Sequence, residues 1–466
     1  RGNPGDYDRW ARQYGAKGWA YEDVLPHFKE IEDFRVGPLD EYHGTSGEVP
    51  VDYANATTKL TKLLLEACSQ SGYPVLDYNG PTQRGCSQLQ TNLANGERIS
   101  ASKAFIQPIV GKRKNLHVAL FSQATKVNFE GNRAAGVSFT RYGRPGSVLA
   151  KREVILSAGT VGSTQLLLLS GLGPKEELKQ FGVPVIADLP VGGNLQDHPT
   201  LLLGLPISTD VQAGIGPFSL EDIAQYARNR TGTISIPAAI EFLQFLVTNY
   251  AADPDVPDVE VATVSAPASE MLKAWVTPLG LLPEAYDSYF GPVSDSAGFR
   301  ATIVVMRPRS RGSISLRSAN PYDHPNIDPR ILEHPDDVRA AAEGAKMFID
   351  TMLSTEAMKS IGATLSNATF APCGDAGDRW SQKYIECLFR HTAMPIWHLC
   401  CSVSMGSHPE AVLDERLRAR GNVTGLRVAD ASVMPDIISA HTNAASMMIG
   451  SKAAAMIIKD NEEHRR

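Results

Sequence analysis

Two histidines in the last part of the sequence, His398 and His441, carry the side chains best suited to proton transfer near neutral pH. The unperturbed imidazole pKa of about 6.5 lets a histidine accept or release a proton in that range. His398 follows an apolar run over 393–397 and His441 precedes a helical pattern, so only tertiary folding could bring them together. Taken alone, each is better explained as a core or loop histidine whose ring is satisfied by backbone groups.

The motifs of several common enzyme classes do not occur in the sequence. There is no GxGxxG, no phosphate-binding GxxxxGK[ST], no HExxH, no GxSxG and no EF-hand loop, which disfavours the common kinase and hydrolase classes. Gly171 and Gly173 stand at the end of a helical pattern and indicate a helix stop. His391 and His398 have no carboxylate or thiolate at a spacing typical of zinc ligands, so we expect no metal site.

Two segments far apart in the sequence share the order strand, short turn, helix. In the first, a β-type run over 152–156 is followed by Ser157-Ala158-Gly159 and a helical pattern over 163–169. In the second, a strand pattern over 425–429 is followed by the turn Asp430-Ala431-Ser432 and a small-residue helical pattern over 444–459. Two such units predict one discontinuous α/β domain, with Asp430 and Ala431 at a strand end where ligands bind.

The segment between these units shows a different pattern of predicted helices and strands. Residues 200–391 combine strand-like patterns with one long helical pattern over 335–352, which predicts a second, α+β domain. The predicted strands of this segment lie at 257–264, 299–306 and 312–316. Upstream, we predict helices over 7–11, 21–28 and 57–70, a loop over 37–53, and an antiparallel meander of strands over 116–121, 126–129 and 136–140.

Read together, several phrases of the sequence resemble the glucose–methanol–choline (GMC) flavoprotein oxidoreductases, most nearly their arthropod glucose-dehydrogenase-like branch. The phrases are Arg1-Gly2-Asn3 with residues 6–10, residues 159–167 through 170–173, 191–198, 307–312, His398 with Met405-Gly406, 426–435, and His441-Thr442-Asn443. The resemblance runs from residue 1 to about residue 460. It implies an FAD-binding Rossmann-like domain (1–199, with a C-terminal catalytic block at 392–466) and an inserted substrate-binding domain (200–391) built on an antiparallel sheet.

The resemblance also implies roles for particular residues. The reaction of the family removes the hydroxyl proton of an alcohol or sugar and transfers a hydride from the same carbon to flavin N5. His398 is expected to accept the proton and His441 to orient the hydroxyl and share the proton. FAD is expected to contact Ala124, Asp430, Ala431 and Asn443, with a meander strand residue as the simpler explanation of Ala124 and helix N-caps as that of Asp430 and Asn443. The electrons would pass to O2 or to a quinone-like acceptor.

The same resemblance shows two departures from the family pattern. Its members open with a βαβ unit carrying GxGxxG, upstream of the phrase with which this sequence begins, so we expect the chain to be a fragment. Cys401-Ser402 stands where Gly-Thr is usual, and the Cys400-Cys401 pair adds bulk and thiols near the expected active site. Substrate fit is therefore expected to differ from that of close relatives.

Composition excludes other classes of protein and partner. The 466 residues are 43% hydrophobic and 21% charged, with a net charge of −6, which describes a globular protein with a large core. No basic run with interleaved aromatics suggests nucleic-acid binding, and no apolar run reaches the length of a membrane span. The oligomeric state is not determined by the sequence.

Four Asn-x-Thr sequons favour a secreted glycoprotein, although such tripeptides also arise by chance. They lie at Asn55, Asn229, Asn367 and Asn422. The six cysteines do not form a recognisable disulfide framework and do not identify the compartment by themselves. A different class of function also fits the motifs: a catalytically silent secreted binding or storage protein that keeps the fold.

Overall fold

The structure, a computed structural model, describes residues 1–463 except 217, 268, 278–281, 295 and 368. Within this part of the chain the helices are α1 (Pro4–Gln13), α2 (Tyr21–Ile31), α3 (Lys59–Gln70), α4 (Gly159–Leu169), α5 (Lys175–Gln180), α6 (Leu220–Asn229), α7 (Glu270–Val276), α8 (Pro283–Phe290), α9 (Pro335–Met352), α10 (Glu356–Lys359), α11 (Gln382–Thr392) and α12 (Thr442–Glu463).

The strands of the same part of the chain are mostly short. They are β1 (Glu32–Phe34), β2 (Val49–Val51), β3 (Gly85–Gln88), β4 (Leu93–Ala94), β5 (Glu97–Arg98), β6 (Ser122–Glu130), β7 (Arg133–Arg141), β8 (Arg144–Leu149), β9 (Val154–Leu156), β10 (Leu172–Gly173), β11 (Ala187–Asp188), β12 (Pro199–Ser208), β13 (Ile240–Leu246), β14 (Val259–Val264), β15 (Gly298–Val305), β16 (Ser313–Ser315), β17 (Asn326–Asp328), β18 (Thr364–Leu365), β19 (Met394–Pro395) and β20 (Leu426–Val428).

The two strand–turn–helix units predicted from the sequence come together as expected. β9 and β20 pair in parallel, with Val154 opposite Leu426 and Leu156 opposite Val428. Helix α4 follows β9 directly, and α12 begins after the turn and loop that follow β20. Their apolar residues share one core with α1 and α2. The discontinuous α/β part of the fold is therefore confirmed.

The second part of the fold is a seven-stranded sheet in the order β18-β12-β15-β14-β13-β3, with β19 pairing to the same β12. Its pairs are antiparallel, as predicted. Alternation along β13 sends Phe242 and Leu246 to a core shared with α3, α9 and α11, and Leu243 and Phe245 to the opposite face. Both faces of the central strands are thus covered.

Helix α9 spans the residues predicted for it. Its buried residues Val338, Ala341, Ala345, Phe348 and Met352 recur at helical spacing, and two aspartates occupy the first turn, where negative charge is favourable. Residues Gly171 and Gly173 also follow a helix end, as predicted, since α4 ends at Leu169.

Other boundaries predicted from the sequence are wrong. Residues 116–121 do not form a strand; the meander instead pairs β6, β7 and β8. The turns 131–132 and 142–143 set its register, and each contains a glycine with positive φ, Gly131 and Gly143. The predicted loop over 37–53 contains β2, which pairs in parallel with β1.

The division into 1–199, 200–391 and 392–466 stays a prediction, although the large sheet crosses both boundaries. β3 lies before residue 199 and β19 after residue 391, and both belong to that sheet. Helix α3 also packs in its core. The physical reason is that edge strands can be recruited from any part of the chain that passes the sheet, so domain boundaries need not follow sequence order.

Two disulfides join neighbouring elements, a pairing that the sequence left open. Cys68 of α3 is bonded to Cys86 of β3, and Cys373 is bonded to Cys387 of α11. Cys400 and Cys401 are free and buried. Among the described helices, none combines the length and apolar character required to cross a membrane.

Candidate active site

The segment that carries His398 runs antiparallel to the segment before β12. Thr200 pairs with Met394, and the backbone N–H of Cys400 donates to the carbonyl oxygen of Gln196 at 3.0 Å. This pairing places His198 opposite His398, although 200 residues separate them. Two residues with left-handed backbone, Trp397 and Cys401, flank the histidine segment, a conformation that costs energy and clusters at functional sites.

His198 and His398 contact each other through their rings. Their Nδ1 atoms are 2.9 Å apart, and the rings meet edge to face with centroids at 5.1 Å. The Nε2 atom of His198 lies 3.1 Å from the carbonyl oxygens of both Met306 and Ile438. His198 is fully buried, and burial lowers its pKa to about 3.

Asp197 holds the backbone of both histidines. Its Oδ1 accepts the backbone N–H groups of His198 at 2.7 Å and of His398 at 2.8 Å. The other carboxylate oxygen is buried and has no hydrogen-bond partner among the described residues, and burial raises the pKa of Asp197 to about 6. This carboxylate therefore holds the backbone at both histidines in place, and it makes no hydrogen bond to their ring nitrogens.

His398 and His441, the predicted catalytic pair, are neighbours in the structure. Their ring centroids are 5.3 Å apart with the planes tilted by 43°. Burial is the main cause that lowers the pKa of His398 to about 2, with the charges of His198 and His441 acting in the same direction. His398 is therefore a neutral imidazole at any pH near neutrality.

His441 has the opposite electrostatic environment because it faces a carboxylate. Its Nε2 lies 3.0 Å from Oε1 of Glu260 in β14. The Glu260 side chain is 1% exposed and that of His441 is 41% exposed. The negative charge of Glu260 raises the pKa of His441 above its usual 6.5, while solvent at the exposed part of the ring weakens the pair.

Glu260 points towards the site because of strand alternation. Its neighbours Val259 and Val261 lie in the helix-facing core, whereas Glu260 and Ala262 face the other side of the sheet. The second carboxylate oxygen of Glu260, Oε2, is also buried, and in the part of the chain that the structure describes no group hydrogen-bonds to it. A single charged residue in a strand that is otherwise uncharged and mostly apolar is the sequence signal that could have identified Glu260.

A cavity of about 270 Å³ opens beside His441 and Glu260. Its wall combines the sheet face, through Leu243 and Phe245, with the start of α12, through Asn443. A second cavity of about 350 Å³ shares four lining residues with it: Thr91, Asn92, Asn443 and Met447. The site is therefore a continuous cleft between the α/β part and the antiparallel sheet.

The other predicted cofactor-binding residues lie in different surroundings. The Asp430 carboxylate accepts the N–H of Gly159 at 3.1 Å and bonds Ser163 and Ser432, so it ties the start of α4 to the end of β20. Ala431 follows it in a short 3-10 helix. Ala124 pairs with Phe139 in the meander. These contacts fit the simpler explanations, a helix N-cap for Asp430 and a meander strand residue for Ala124. The flavin contacts of these residues stay predictions.

Asn443 is placed as predicted at the beginning of α12. Its side chain is exposed, and its Nδ2 donates to Oδ1 of Asn92 at 2.8 Å across the mouth of the cleft. Of the site residues described so far, sequence reasoning missed Asp197, His198 and Glu260 as members of the site. The first two lay in a phrase already noted, residues 191–198, where their adjacent carboxylate and imidazole were the available signal.

Among the described residues, one group has the composition of a metal site. Cys373, Cys387 and His391 bring two sulfurs and an imidazole nitrogen within 4.8 Å of one another. The sulfurs are bonded to each other, and a cysteine binds metal as its thiolate. The oxidised group therefore lacks the ligands that a metal would need.

A split α/β part and an inserted antiparallel sheet meet at a cleft that His441 lines, with His398 and His198 behind it, an arrangement that fits a two-part flavoprotein oxidoreductase. Comparison with protein families agrees: the N-terminal and C-terminal GMC oxidoreductase models match residues 1–200 and 308–450. The chain belongs to the GMC oxidoreductase family. The family and fold expected from the motifs are confirmed, and with them FAD as the cofactor and the oxidoreductase class.

Individual relatives cover nearly the whole chain. Glucose dehydrogenase [FAD, quinone] of Drosophila melanogaster is 36% identical over 98% of this chain and 71% of its own length. Human mitochondrial choline dehydrogenase is 33% identical over 98% of this chain and 73% of its own. An FAD-dependent oxidoreductase from Chaetomium thermophilum shares the fold with a TM-score of 0.83, at 23% identity, over 99% of this chain and 84% of that one.

The residues at the cleft fit a flavin. The start of α12 lines the cleft at Asn443 and Ala444, and the N–H groups of a helix N-terminus favour electron-rich oxygen and nitrogen atoms such as those of a flavin pyrimidine ring. Ala440, Ala444 and Met447 add an apolar surface suited to a flat aromatic ring.

Proposed function

We propose that the protein oxidises the CH–OH group of an alcohol or a sugar, with His398 accepting the hydroxyl proton. The observation that supports this best is the contact between His398 and His441, which come from distant segments of the chain, with His441 lining the cleft. Bound FAD would supply the acceptor for the hydride, at N5. Loss of one proton and one hydride converts the alcohol to a carbonyl compound, so both hydrogens are accounted for.

His398 suits the role of proton acceptor because its ring is neutral. With its pKa lowered to about 2, it always has an unprotonated nitrogen available. The same low pKa makes it a weak base, since efficient general bases have a pKa near the working pH. The hydroxyl must therefore be made more acidic by a neighbour.

His441 is the neighbour that can do so. Because Glu260 raises its pKa, His441 carries positive charge over a wider pH range than a free histidine. A positive charge beside the hydroxyl stabilises the oxygen anion that forms as the proton leaves. His398 would then accept the hydroxyl proton and His441 would stabilise the oxygen anion, so that two imidazoles in opposite electrostatic environments have different roles.

Within this chain, the cofactor would be held by Asn443 and the first turn of α12, together with the predicted contacts of Ala124, Asp430 and Ala431. The electrons would then pass to O2 or a quinone-like acceptor. Glucose dehydrogenase and choline dehydrogenase among the relatives support sugars and small alcohols as the substrate class.

The test is anaerobic mixing of the FAD-loaded protein with a panel of sugars, choline and primary alcohols. We expect at least one compound to bleach the visible flavin absorption, and His398→Gln to abolish the bleaching while retaining flavin. Flavin that stays oxidised with the whole panel would contradict the proposal. A full-length protein that binds no FAD on reconstitution would favour the alternative, a catalytically silent binding or storage protein.

We also propose that the protein is secreted and glycosylated. All four sequon asparagines, at Asn55, Asn229, Asn367 and Asn422, lie at exposed positions. The two disulfides are typical of oxidising compartments. Expression in a eukaryotic secretory host, followed by enzymatic removal of N-glycans, should reduce the apparent mass. An unchanged mass and retention inside the cell would contradict this proposal.

A further inference from the structure

The surroundings of His198 determine which of its nitrogens carries a proton. Its Nε2 faces the carbonyl oxygens of Met306 and Ile438, both at 3.1 Å. A carbonyl oxygen can only accept a hydrogen bond, so Nε2 must be the protonated nitrogen that donates to them. Two backbone groups fixed by the fold therefore define the hydrogen-bonding direction at one side of this ring.

The protonation of Nδ1, on the opposite side of the ring, follows from the charge of the ring. The ring of His198 is fully buried, and within the described part of the chain it makes no hydrogen bond to a carboxylate. A buried imidazolium without a carboxylate is costly, so the ring is neutral. The titratable groups that face this ring are His398, which it touches, and His441, whose charge disfavours a second positive charge on His198. Oδ1 of the adjacent Asp197 accepts backbone N–H groups and not a ring N–H. A neutral ring protonated at Nε2 has an unprotonated Nδ1 that can only accept.

The contact between the two rings then determines which nitrogen of His398 carries its proton. The two Nδ1 atoms are 2.9 Å apart, and a hydrogen bond between them needs one proton. Since Nδ1 of His198 accepts, Nδ1 of His398 must donate. A neutral His398 protonated at Nδ1 has its remaining lone pair on Nε2.

We propose that His198 is a positioning residue that fixes the tautomer of His398, leaving Nε2 of His398 as the unprotonated nitrogen. This inference rests on the proposed function of His398 as the proton acceptor. Without His198, a neutral His398 could carry its proton on either nitrogen, and the fraction protonated at Nε2 could not accept a proton there. The chain of donors runs from His398 to His198 and from His198 to the backbone of Met306 and Ile438.

The opposite placement of protons in the pair of His198 and His398 can be distinguished by experiment. If His198 donated from Nδ1, it would have to be charged, because the two carbonyl oxygens already require a proton on Nε2. His398 would then accept at Nδ1 and carry its own proton on Nε2. The two arrangements predict opposite protonation of the two nitrogens of His398.

The direct test is NMR of the FAD-loaded protein labelled with 15N-histidine, since protonated and unprotonated ring nitrogens have well-separated 15N shifts. The His398 signals are assigned by their loss in His398→Gln. We expect Nδ1 of His398 to be protonated and Nε2 to be bare. A protonated Nε2 with a bare Nδ1 in the parent protein would overturn the inference. This result is independent of whether any alcohol reduces the flavin, so it separates the inference from the proposed function.

Two substitutions of His198 test its effect on reaction. In His198→Gln the amide oxygen can still accept from His398 and the amide N–H groups can still donate to the carbonyl oxygens, so flavin reduction should stay within a few-fold of the parent. His198→Leu removes both groups, and the reduction rate should fall on the order of 10²-fold or more, as for a catalytic imidazole released into the wrong tautomer.

His408→Gln is the matched control, because His408 bonds Ser404 away from the cleft. It should leave both the His398 signals and the reduction rate unchanged. Equal reduction rates in His198→Gln and His198→Leu, with flavin bound in both, would overturn the inference. Should His198→Leu fail to fold, the protonation of His398 in the parent and in His198→Gln decides the question, with the parent pattern expected in both.

Discussion

Replacing Glu260 by glutamine should shift the pH dependence of flavin reduction by substrate to lower pH. In the parent protein the Glu260 carboxylate lies 3.0 Å from Nε2 of His441 and raises its pKa. The amide has nearly the same shape and can still accept a hydrogen bond, but it carries no charge. The substitution therefore removes the attraction while leaving the packing of β14 almost unchanged.

The size of the effect follows from the burial of the two partners. Unit charges about 4 Å apart attract by about 4 kcal/mol at an effective dielectric constant of about 20. Exposed ion pairs keep roughly 0.2–1 kcal/mol of this. Glu260 is 1% exposed but His441 is 41% exposed, so an intermediate contribution of about 1–2 kcal/mol is expected. The corresponding decrease in the reduction rate approaches roughly tenfold only above the raised pKa of His441, where the protonated fraction differs most between the two proteins, and it is smaller near neutral pH.

The sign follows from the direction of the pKa shift. A group whose pKa is raised in the folded protein contributes fully below its usual value, here 6.5, and loses that contribution as the pH rises through the raised value. The reduction rate of the parent should thus fall as His441 loses its proton. In Glu260→Gln this fall should occur at lower pH, and the two profiles should converge in acid, where His441 is charged in both.

The assay is stopped-flow flavin reduction over a range of pH under anaerobic conditions. Glu241→Gln is the matched control, because Glu241 is a buried carboxylate on the neighbouring strand β13 that bonds Thr58 instead of the site. A pH profile of Glu260→Gln that superimposes on that of the parent, or moves to higher pH, would contradict the predicted effect of the Glu260 charge on His441. It would mean that His441 does not act in its charged form.

Three further perturbations address the fold and the base. His398→Ala should stop flavin reduction by substrate without releasing the flavin, and a rate within a few-fold of the parent would show that another group accepts the proton. Asp430→Asn should lower the free energy of unfolding by about 3 kcal/mol in chemical denaturation, because the new amide N–H₂ cannot accept the hydrogen bonds now made to one carboxylate oxygen; Asp350→Asn, at an exposed position of α9, should change it little. Reducing either disulfide should cost about 3 kcal/mol, since the bonds close loops with separations of 18 and 14 residues; identical denaturation curves with and without a reductant would contradict this expectation.

Local patterns predicted the long elements better than the short ones. Helix α9 was predicted over the whole of 335–352 because its apolar residues repeat at helical spacing across five turns. The prediction of the meander was shifted along the sequence because most residues of its strands are only half-buried or exposed and their alternation is weak, so the two short turns decide the register. The short strand β2 was missed because it gains its stability by pairing with β1, which a local pattern does not reveal.

The amino-acid sequence was sufficient to identify the family, because the motifs that carry the resemblance are short local phrases, and the resemblance predicted His398 and His441 as the catalytic pair. It could not determine which groups surround these histidines. His198 reaches His398 only because two segments pair antiparallel across 200 residues, and Glu260 reaches His441 only because alternation along β14 turns it towards the cleft. Proton affinity and tautomer depend on burial, on charge and on hydrogen-bond partners a few ångströms away. Those are set by the tertiary structure, which is why the histidines could be identified from the sequence while their protonation states could not.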